Sequence, residues 1–231
     1  MEYTLSLALV DFLPVIFTAI GLGYLMQMIR HIQPELGRVA LVGSVLTVAG
    51  GASKATWKLI MALSEGRTNI TLLDDSLFIL MAPGYVLLTW AVWQAVRVVR
   101  GKSTMNVWVP PLVMVSVIAA TSVFLAISQP ESPAWERVLL SVMVLATMVT
   151  SILLIIFAFR QKMVVAGGLF IVNILGVFIL NGLARLPDQT IALQWVEESI
   201  NVVAWLAFAF AAFQILQYTR NNFGVGAPAT G

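Results

Sequence analysis

The sequence predicts an all-α integral membrane protein with seven transmembrane helices, built as two parallel three-helix units joined by a fourth, linking helix. The first observation is composition. Apolar residues make up 60% of the 231 residues and charged residues only 10%, whereas a soluble domain carries about 25% charged residues. The second is a series of long apolar stretches, and the third is an internal repeat at an offset of 123 positions.

Seven stretches are long enough to cross a bilayer, which takes about 20 mostly apolar residues. They are continuous rather than alternating, and this favours helices over a β-barrel. The first contains Asp11 and lacks a basic leader and a cleavage site, so it is interpreted as a retained span and not a signal peptide. In order, the predicted spans are 7–29, 38–63, 73–98, 106–128, 137–159, 162–185 and 191–218.

The repeat is ungapped across spans two and three, which match spans six and seven. Asp74-Asp75-Ser76-Leu77 aligns with Glu197-Glu198-Ser199-Ile200, and Gln94 and Arg97 align with Gln217 and Arg220. Matched spans run in the same direction, so the repeats are predicted to be parallel, with sites near their interface. The chain is therefore read as one transmembrane domain over 1–231, with units at 7–98 and 137–220 and a linker helix at 106–128.

Orientation follows from the basic residues, which concentrate on the cytoplasmic side of membrane proteins. An outside N-terminus and an inside C-terminus place eight of the 13 basic residues inside, and only Glu35 of the acids. The predicted location is a plasma or inner membrane. The inner basic residues are Arg30, Arg38, Arg97, Arg100, Lys102, Arg160, Lys162 and Arg220.

Several kinds of chemistry are excluded by residue type. Cysteine is absent, which removes disulfides, thiol catalysis and thiolate metal ligands. The single histidine, His31, lies in a short inner loop and argues against haem ligation between helices. No metal or cofactor is expected. The basic residues form no stripe for nucleic acid. The expected partners are the lipid bilayer and a small molecule or ion, and the apolar flanks leave room for a homo-oligomer or a larger membrane complex.

Polar residues inside the spans indicate a site in the outer half of the bundle. At a rise of about 1.5 Å per residue, Lys58, Glu197 and Glu198 fall at similar depth, and a charge in hydrocarbon costs about 3 kcal/mol. Lys58 or Lys54 is therefore expected to pair with Glu197 or Glu198 around an outward pocket. The predicted ligand-binding residues are Lys54, Trp57, Lys58, Asn181, Glu197, Glu198, Asn201 and Trp205, with Asp11, Asp74, Asp75 and Asn173 as secondary candidates.

Three families resemble the chain in layout. Seven helices with an outside N-terminus look like a microbial rhodopsin, but the last span, 191–218, has no lysine to hold retinal as a Schiff base. The acidic pairs Asp74-Asp75 and Glu197-Glu198 resemble the helix-opening pairs of membrane lycopene cyclases, without the proline that precedes them in that family. The plan of three, one and three helices is also shared with small sugar and vitamin transporters.

Two classes of function remain open from the sequence. One is a transporter or sensor-like receptor that binds a polar or zwitterionic molecule or an ion in the outer pocket. The other is an intramembrane enzyme in which a buried carboxylic acid protonates an isoprenoid-like lipid, as the cyclase layout implies. Lysines beside the carboxylates favour their charged form and argue for the first class. A non-catalytic subunit of a membrane complex is the third alternative.

Overall fold

The computed structural model describes residues 4–183, 186 and 190–223, and this part of the chain is helical without strands. Seven helical segments in it are long and apolar enough to cross a membrane, so the chain is an integral membrane protein. The first of these segments is interrupted once. The helices are α1 (Leu5–Val10), α2 (Phe12–Ile32), α3 (Pro34–Leu63), α4 (Thr71–Val99), α5 (Val109–Ser128), α6 (Ala134–Arg160), α7 (Val164–Leu183) and α8 (Ile191–Asn222).

The observed helices agree with the seven predicted spans and extend most of them by a turn. Thr4 starts the first span by accepting a hydrogen bond from the Leu7 amide at 3.3 Å, as an N-cap residue does. Asp11 separates α1 from α2, and both pieces belong to one span, Leu5–Ile32. The predicted end of span six at 185 lies outside the described residues.

The membrane side on which residue 4 lies is called here the N-terminal side, and the opposite side the C-terminal side. Helix α3 packs between α2 and α4, while α8 packs between α2 and α7. Helix α6 contacts α4 and α7. The core between them is continuous and apolar, with Leu25, Leu88 and Phe170 fully buried. Helix α5 lies at the edge against α4 and α6, and of its residues only Pro111 and Ser122 are buried.

Close approach of α3 and α4 depends on glycine. A Cβ atom added at Gly84 would lie 2.6 Å from the Thr47 hydroxyl and 2.9 Å from the Gly43 carbonyl. One added at Gly43 would lie 2.7 Å from the Gly84 carbonyl. Small residues let membrane helices meet backbone to backbone in this way. The contact holds α3 in place along the middle of the bundle, with its two lysines nearer the N-terminal side.

Helix α3 contacts α2 and α4, and α7 contacts α6 and α8. Helix α2 also meets α8, and α4 meets α6. The internal repeat stays a prediction, and superposition of residues 7–98 on 137–220 is its test. The outside N-terminus stays a prediction as well, as does the division of the chain into two units and the linker helix at 106–128.

Candidate functional site

A cavity of about 180 Å³ lies between α2, α3, α4 and α8, towards the N-terminal side. Lys58 is five residues from the end of α3, which corresponds to a depth of about 8 Å along the helix. The side chains of Lys54 and Lys58 keep 29% and 22% of their surface exposed, so the cavity is open to its surroundings. It is lined by Asp11, Pro14, Val15, Thr18, Thr47, Val48, Gly51, Lys54, Ala55, Lys58, Leu77, Met81, Glu198, Asn201 and Trp205.

Lys58 joins two carboxylates from the two ends of the sequence. Its Nζ atom lies 2.8 and 2.7 Å from the two oxygens of Asp11, and 3.5 Å from Oε1 of Glu198. Both acids are more than nine-tenths buried. Charge-assisted hydrogen bonds shorten to about 2.7–2.9 Å when they are strong. Asp11 is therefore the firm partner of Lys58, and Glu198 is held only loosely.

Lys54 makes a separate ion pair with Asp74 at the start of α4. Its ammonium group also lies 4.3 Å from the ring centroid of Trp57, within the range of a cation–π contact. Trp57 in turn donates from Nε1 to Oδ1 of Asn69 at 2.9 Å. The sequence predicted a pair of Lys58 or Lys54 with Glu197 or Glu198. Lys58 does contact Glu198, whereas Lys54 meets Asp74, because α4 and not α8 packs against α3.

Three acids and two lysines meet at the site. Asp11 and Glu198 both face Lys58, and Asp74 faces Lys54. The carboxyl groups of Asp11 and Glu198 also lie within hydrogen-bond range of each other. Thr47, 1% exposed, lines the cavity, but its hydroxyl lies against Gly84 of α4. The cavity wall therefore carries a pair of buried acids joined by one lysine.

Apolar residues close the cavity towards the C-terminal side. Trp205 forms part of the wall, and its ring meets Phe208 at 5.5 Å in an edge-to-face contact. Phe208 contacts Phe170 at 5.8 Å. Leu22, one turn beyond Thr18 on α2, is buried at the same level. The site is therefore a pocket with a floor, and not a continuous polar path through the bundle.

Other residues predicted from the sequence lie in different places. Asn201 and Trp205 line the cavity with Glu198. Glu197 is half-buried and does not line it. Asn173 donates to the Ala204 carbonyl at 3.0 Å and links α7 to α8. Asn181 donates to Val177 of its own helix at 2.8 Å, and Asp75 lies on an apolar groove of about 400 Å³ beside α5.

Sequence reasoning underrated Asp11 and missed the two threonines of the cavity, Thr18 and Thr47. Asp11 was recognisable as an acid in the first span at the depth of Lys58, and only the neighbouring position of α2 and α3 decides that they meet. Thr47 carries a weaker signal, because threonine in a helix usually bonds to its own backbone. Gly51 also lines the cavity, where an added Cβ would meet its nearest neighbour, Val15, only at 3.5 Å.

The described residues contain no group of three or more histidines, cysteines or acids placed to share a metal ion. No family model matches the chain, and no curated protein or solved structure matches it either. The function therefore has to be inferred from the cavity.

Proposed function

We propose that the protein binds a small polar ligand or ion in the cavity between α2, α3, α4 and α8, and that it acts as a transporter or a sensor-like receptor. The observation that supports this most directly is an open cavity whose wall carries two buried acids, Asp11 and Glu198, and two lysines, Lys54 and Lys58. Charged side chains within a bundle are costly and usually mark ion or substrate sites. A network serving only helix packing would not need the open volume beside it.

The orientation proposed is an outside N-terminus, so that the cavity faces the exterior. It rests on the excess of arginine and lysine at the opposite side, as membrane proteins show in their cytoplasmic loops.

The enzyme alternative receives less support from the geometry. Asp74 pairs with Lys54 and Asp11 with Lys58, and Glu198 also contacts Lys58, so neither Asp11 nor Glu198, the two acids that line the cavity, stands alone in apolar surroundings.

Cysteine labelling tests the proposal cleanly because the chain contains no native cysteine. Gly51→Cys places a thiol on the cavity wall, where an added Cβ meets its nearest neighbour, Val15, at 3.5 Å. Val45→Cys on the same helix is the matched control, since Val45 is 58% exposed on the apolar outer surface of the bundle. In sealed vesicles of known orientation, a membrane-impermeant methanethiosulfonate should label Gly51→Cys and not Val45→Cys.

The side from which labelling occurs separates the two roles. Labelling of Gly51→Cys from the N-terminal side only is the result expected for a receptor, and labelling from both sides is the result expected for a transporter whose floor opens. Arg100→Cys, in the loop between α4 and α5, reports the orientation of each vesicle. If Gly51→Cys reacts no faster than Val45→Cys from either side, the cavity is closed to water and the proposal is wrong.

A further inference from the structure

We propose that a second site of this protein binds a long single-chain lipid with a neutral hydroxyl head. The site is a groove between α4, α5 and α6, called here the α5 groove. Leu77 and Met81 of α4 line the polar cavity, whereas Ile79 and Pro83 line the groove. The two sites therefore lie on opposite faces of α4, and the lipid site does not depend on the function proposed above.

The α5 groove runs along the bundle as one continuous channel. It consists of a cavity of about 400 Å³ towards the N-terminal side and one of about 470 Å³ beyond it, and Ile118 of α5 lines both. Each volume lies in the range of small-molecule sites, about 300–1,000 Å³. The lining residues of α4 recur every three or four positions, which places them on one helix face. They are Asp75, Ile79, Pro83, Val86, Trp90 and Trp93.

The groove exists because α5 faces it with small side chains. Ala119, Ser122 and Ala126 lie along the lining face of α5 and leave space beside α4 and α6. Cavities with apolar walls do not hold water. The occupant of this groove therefore comes from the bilayer and is largely apolar.

Ser122 supplies a polar contact inside the groove. Its side chain is 7% exposed, and its hydroxyl has no hydrogen-bond partner among the described residues. Two neighbouring hydroxyls of α5 differ: Thr121 donates to the carbonyl four residues earlier at 2.9 Å, and Ser128 does so at 2.7 Å. Buried polar groups are nearly always satisfied. The Ser122 hydroxyl is thus available to the occupant of the groove.

Pro83 adds a hydrogen-bond acceptor at nearly the same depth. Proline has no amide hydrogen, so the carbonyl of Ile79 lacks the donor that a helix normally supplies. At about 1.5 Å per residue, Ile79 lies about 12 Å from the start of α4, and Ser122 lies about 9 Å from the end of α5. Both of these helix ends are on the N-terminal side. One hydroxyl group can accept from Ser122 and donate to the Ile79 carbonyl.

The same positions disfavour a charged head group. An ammonium group has no acceptor atom, and a charge at this depth in the membrane is costly. A carboxylate or phosphate would meet Asp75, which lies on the groove wall nearer to the N-terminal side. A neutral hydroxyl is the head group that fits.

The length of the groove indicates the length of the chain. From Ile79 to Trp93 the α4 wall extends about 21 Å. The hydrocarbon core of a bilayer is about 30 Å thick, so one leaflet provides about 15 Å. A chain that fills the groove below its head group therefore passes from one leaflet into the other, which the chains of an ordinary phospholipid do not.

The experiment measures which lipid the protein retains. The full chain is reconstituted in phosphatidylcholine vesicles with one added probe, repurified in detergent, and analysed by gas chromatography and mass spectrometry. The probes are icosan-1-ol, icosane, icosylamine and the short alcohol decan-1-ol. Icosan-1-ol should be retained about 10-fold better than icosane, equivalent to about 1.4 kcal/mol for the hydroxyl contact. It should also be retained better than icosylamine and decan-1-ol.

Two pairs of variants assign the binding to the groove. Ser122→Ala should remove the preference for icosan-1-ol over icosane, whereas Thr121→Ala should keep it, because the Thr121 hydroxyl is bonded to its own helix. Ala119→Phe fills the groove and should abolish retention of the long probes. Ala120→Phe is its control, since Ala120 is the next residue of α5, is exposed and lines neither cavity.

Each part of the proposal can fail separately. Equal retention in the unmodified protein and Ala119→Phe would show that ordinary bilayer lipids fill the groove, which overturns the site. Equal retention of icosan-1-ol and icosane, a preference that survives Ser122→Ala, or stronger retention of icosylamine overturns the hydroxyl head. Retention of decan-1-ol as strong as that of icosan-1-ol overturns the long chain. The pair of Ser122→Ala and Thr121→Ala keeps the test decisive if Ala119→Phe does not fold.

Discussion

Asp11, and not Glu198, should dominate the stability that Lys58 contributes. Lys58 lies within 2.8 Å of both Asp11 oxygens, but 3.5 Å from the nearer oxygen of Glu198. Removing one partner of a buried pair costs about 3–5 kcal/mol, because the other charge is left uncompensated. Lys58→Met leaves two buried acids, so its loss should lie at the top of that range. Glu198→Gln leaves the shorter pair intact and should cost least.

A double-mutant cycle separates these contributions from other effects of each substitution. Interaction energies between contacting residues span about 0.5–3 kcal/mol. We expect about 2–3 kcal/mol for Lys58 with Asp11 (Lys58→Met, Asp11→Asn) and about 1 kcal/mol for Lys58 with Glu198, in keeping with the distances. The exposed pair of Glu35 and Arg38 serves as a reference, with an expected coupling of about 0.3–0.5 kcal/mol.

The assay is reversible unfolding by sodium dodecyl sulphate in mixed micelles, followed by far-ultraviolet circular dichroism. All variants are measured at one pH and one ionic strength, because both change the strength of charged pairs. A Glu198 coupling equal to or larger than the Asp11 coupling would refute the assignment of the firm partner. Couplings near zero for both would show that Lys58 reaches water and does not pair inside the bundle.

Three further predictions use matched positions in the same fold. Gly84→Ala should destabilise the protein by about 1–3 kcal/mol, the usual range for overpacking, because the new methyl group would lie 2.6 Å from the Thr47 hydroxyl. Gly23→Ala is the control and should be nearly neutral, because its methyl group meets nothing within 4 Å. Equal effects of the two substitutions in detergent unfolding would contradict this. Asn173→Leu should cost about 0.6–2 kcal/mol through its lost bond between helices, while Asn181→Leu, which loses only a bond within α7, should cost less in the same assay. Trp57→Phe should keep the ring beside Lys54 but lose the bond to Asn69, at a cost of about 0.5–1.5 kcal/mol, and Asn69→Ala should add nothing to Trp57→Phe if that bond is the whole effect.

The spans were predictable because membrane insertion depends on local sequence. Length and apolar content alone located all seven helices, including the first, in spite of Asp11. The depth of the site was predictable for the same reason, since depth follows from counting residues along a helix. Lys58, Glu198, Asn201 and Trp205 were thus expected together and line one cavity.

The choice of partner was not predictable from depth. Asp11, Asp74, Glu197 and Glu198 all lie near the N-terminal side, and which of them meets a lysine depends on the order of helices around the bundle. That order is set by side-chain packing between segments far apart in sequence, such as the contact of α2 with α8. Lys54 consequently pairs with Asp74, and Glu197 does not line the cavity that Glu198 lines.

The position of the two lysines on α3 has a consequence for how the protein is made. Helix α3 is the least hydrophobic of the seven spans, and it enters the bilayer with two cationic side chains. Their firm counter-charges come from the spans directly before and after it in the sequence, through Asp11 and Asp74. The first three spans can therefore neutralise both lysines while the rest of the chain is still on the ribosome. Glu198 arrives only with the last span, so the third acid joins this group at the final step of assembly, when α8 docks against α2.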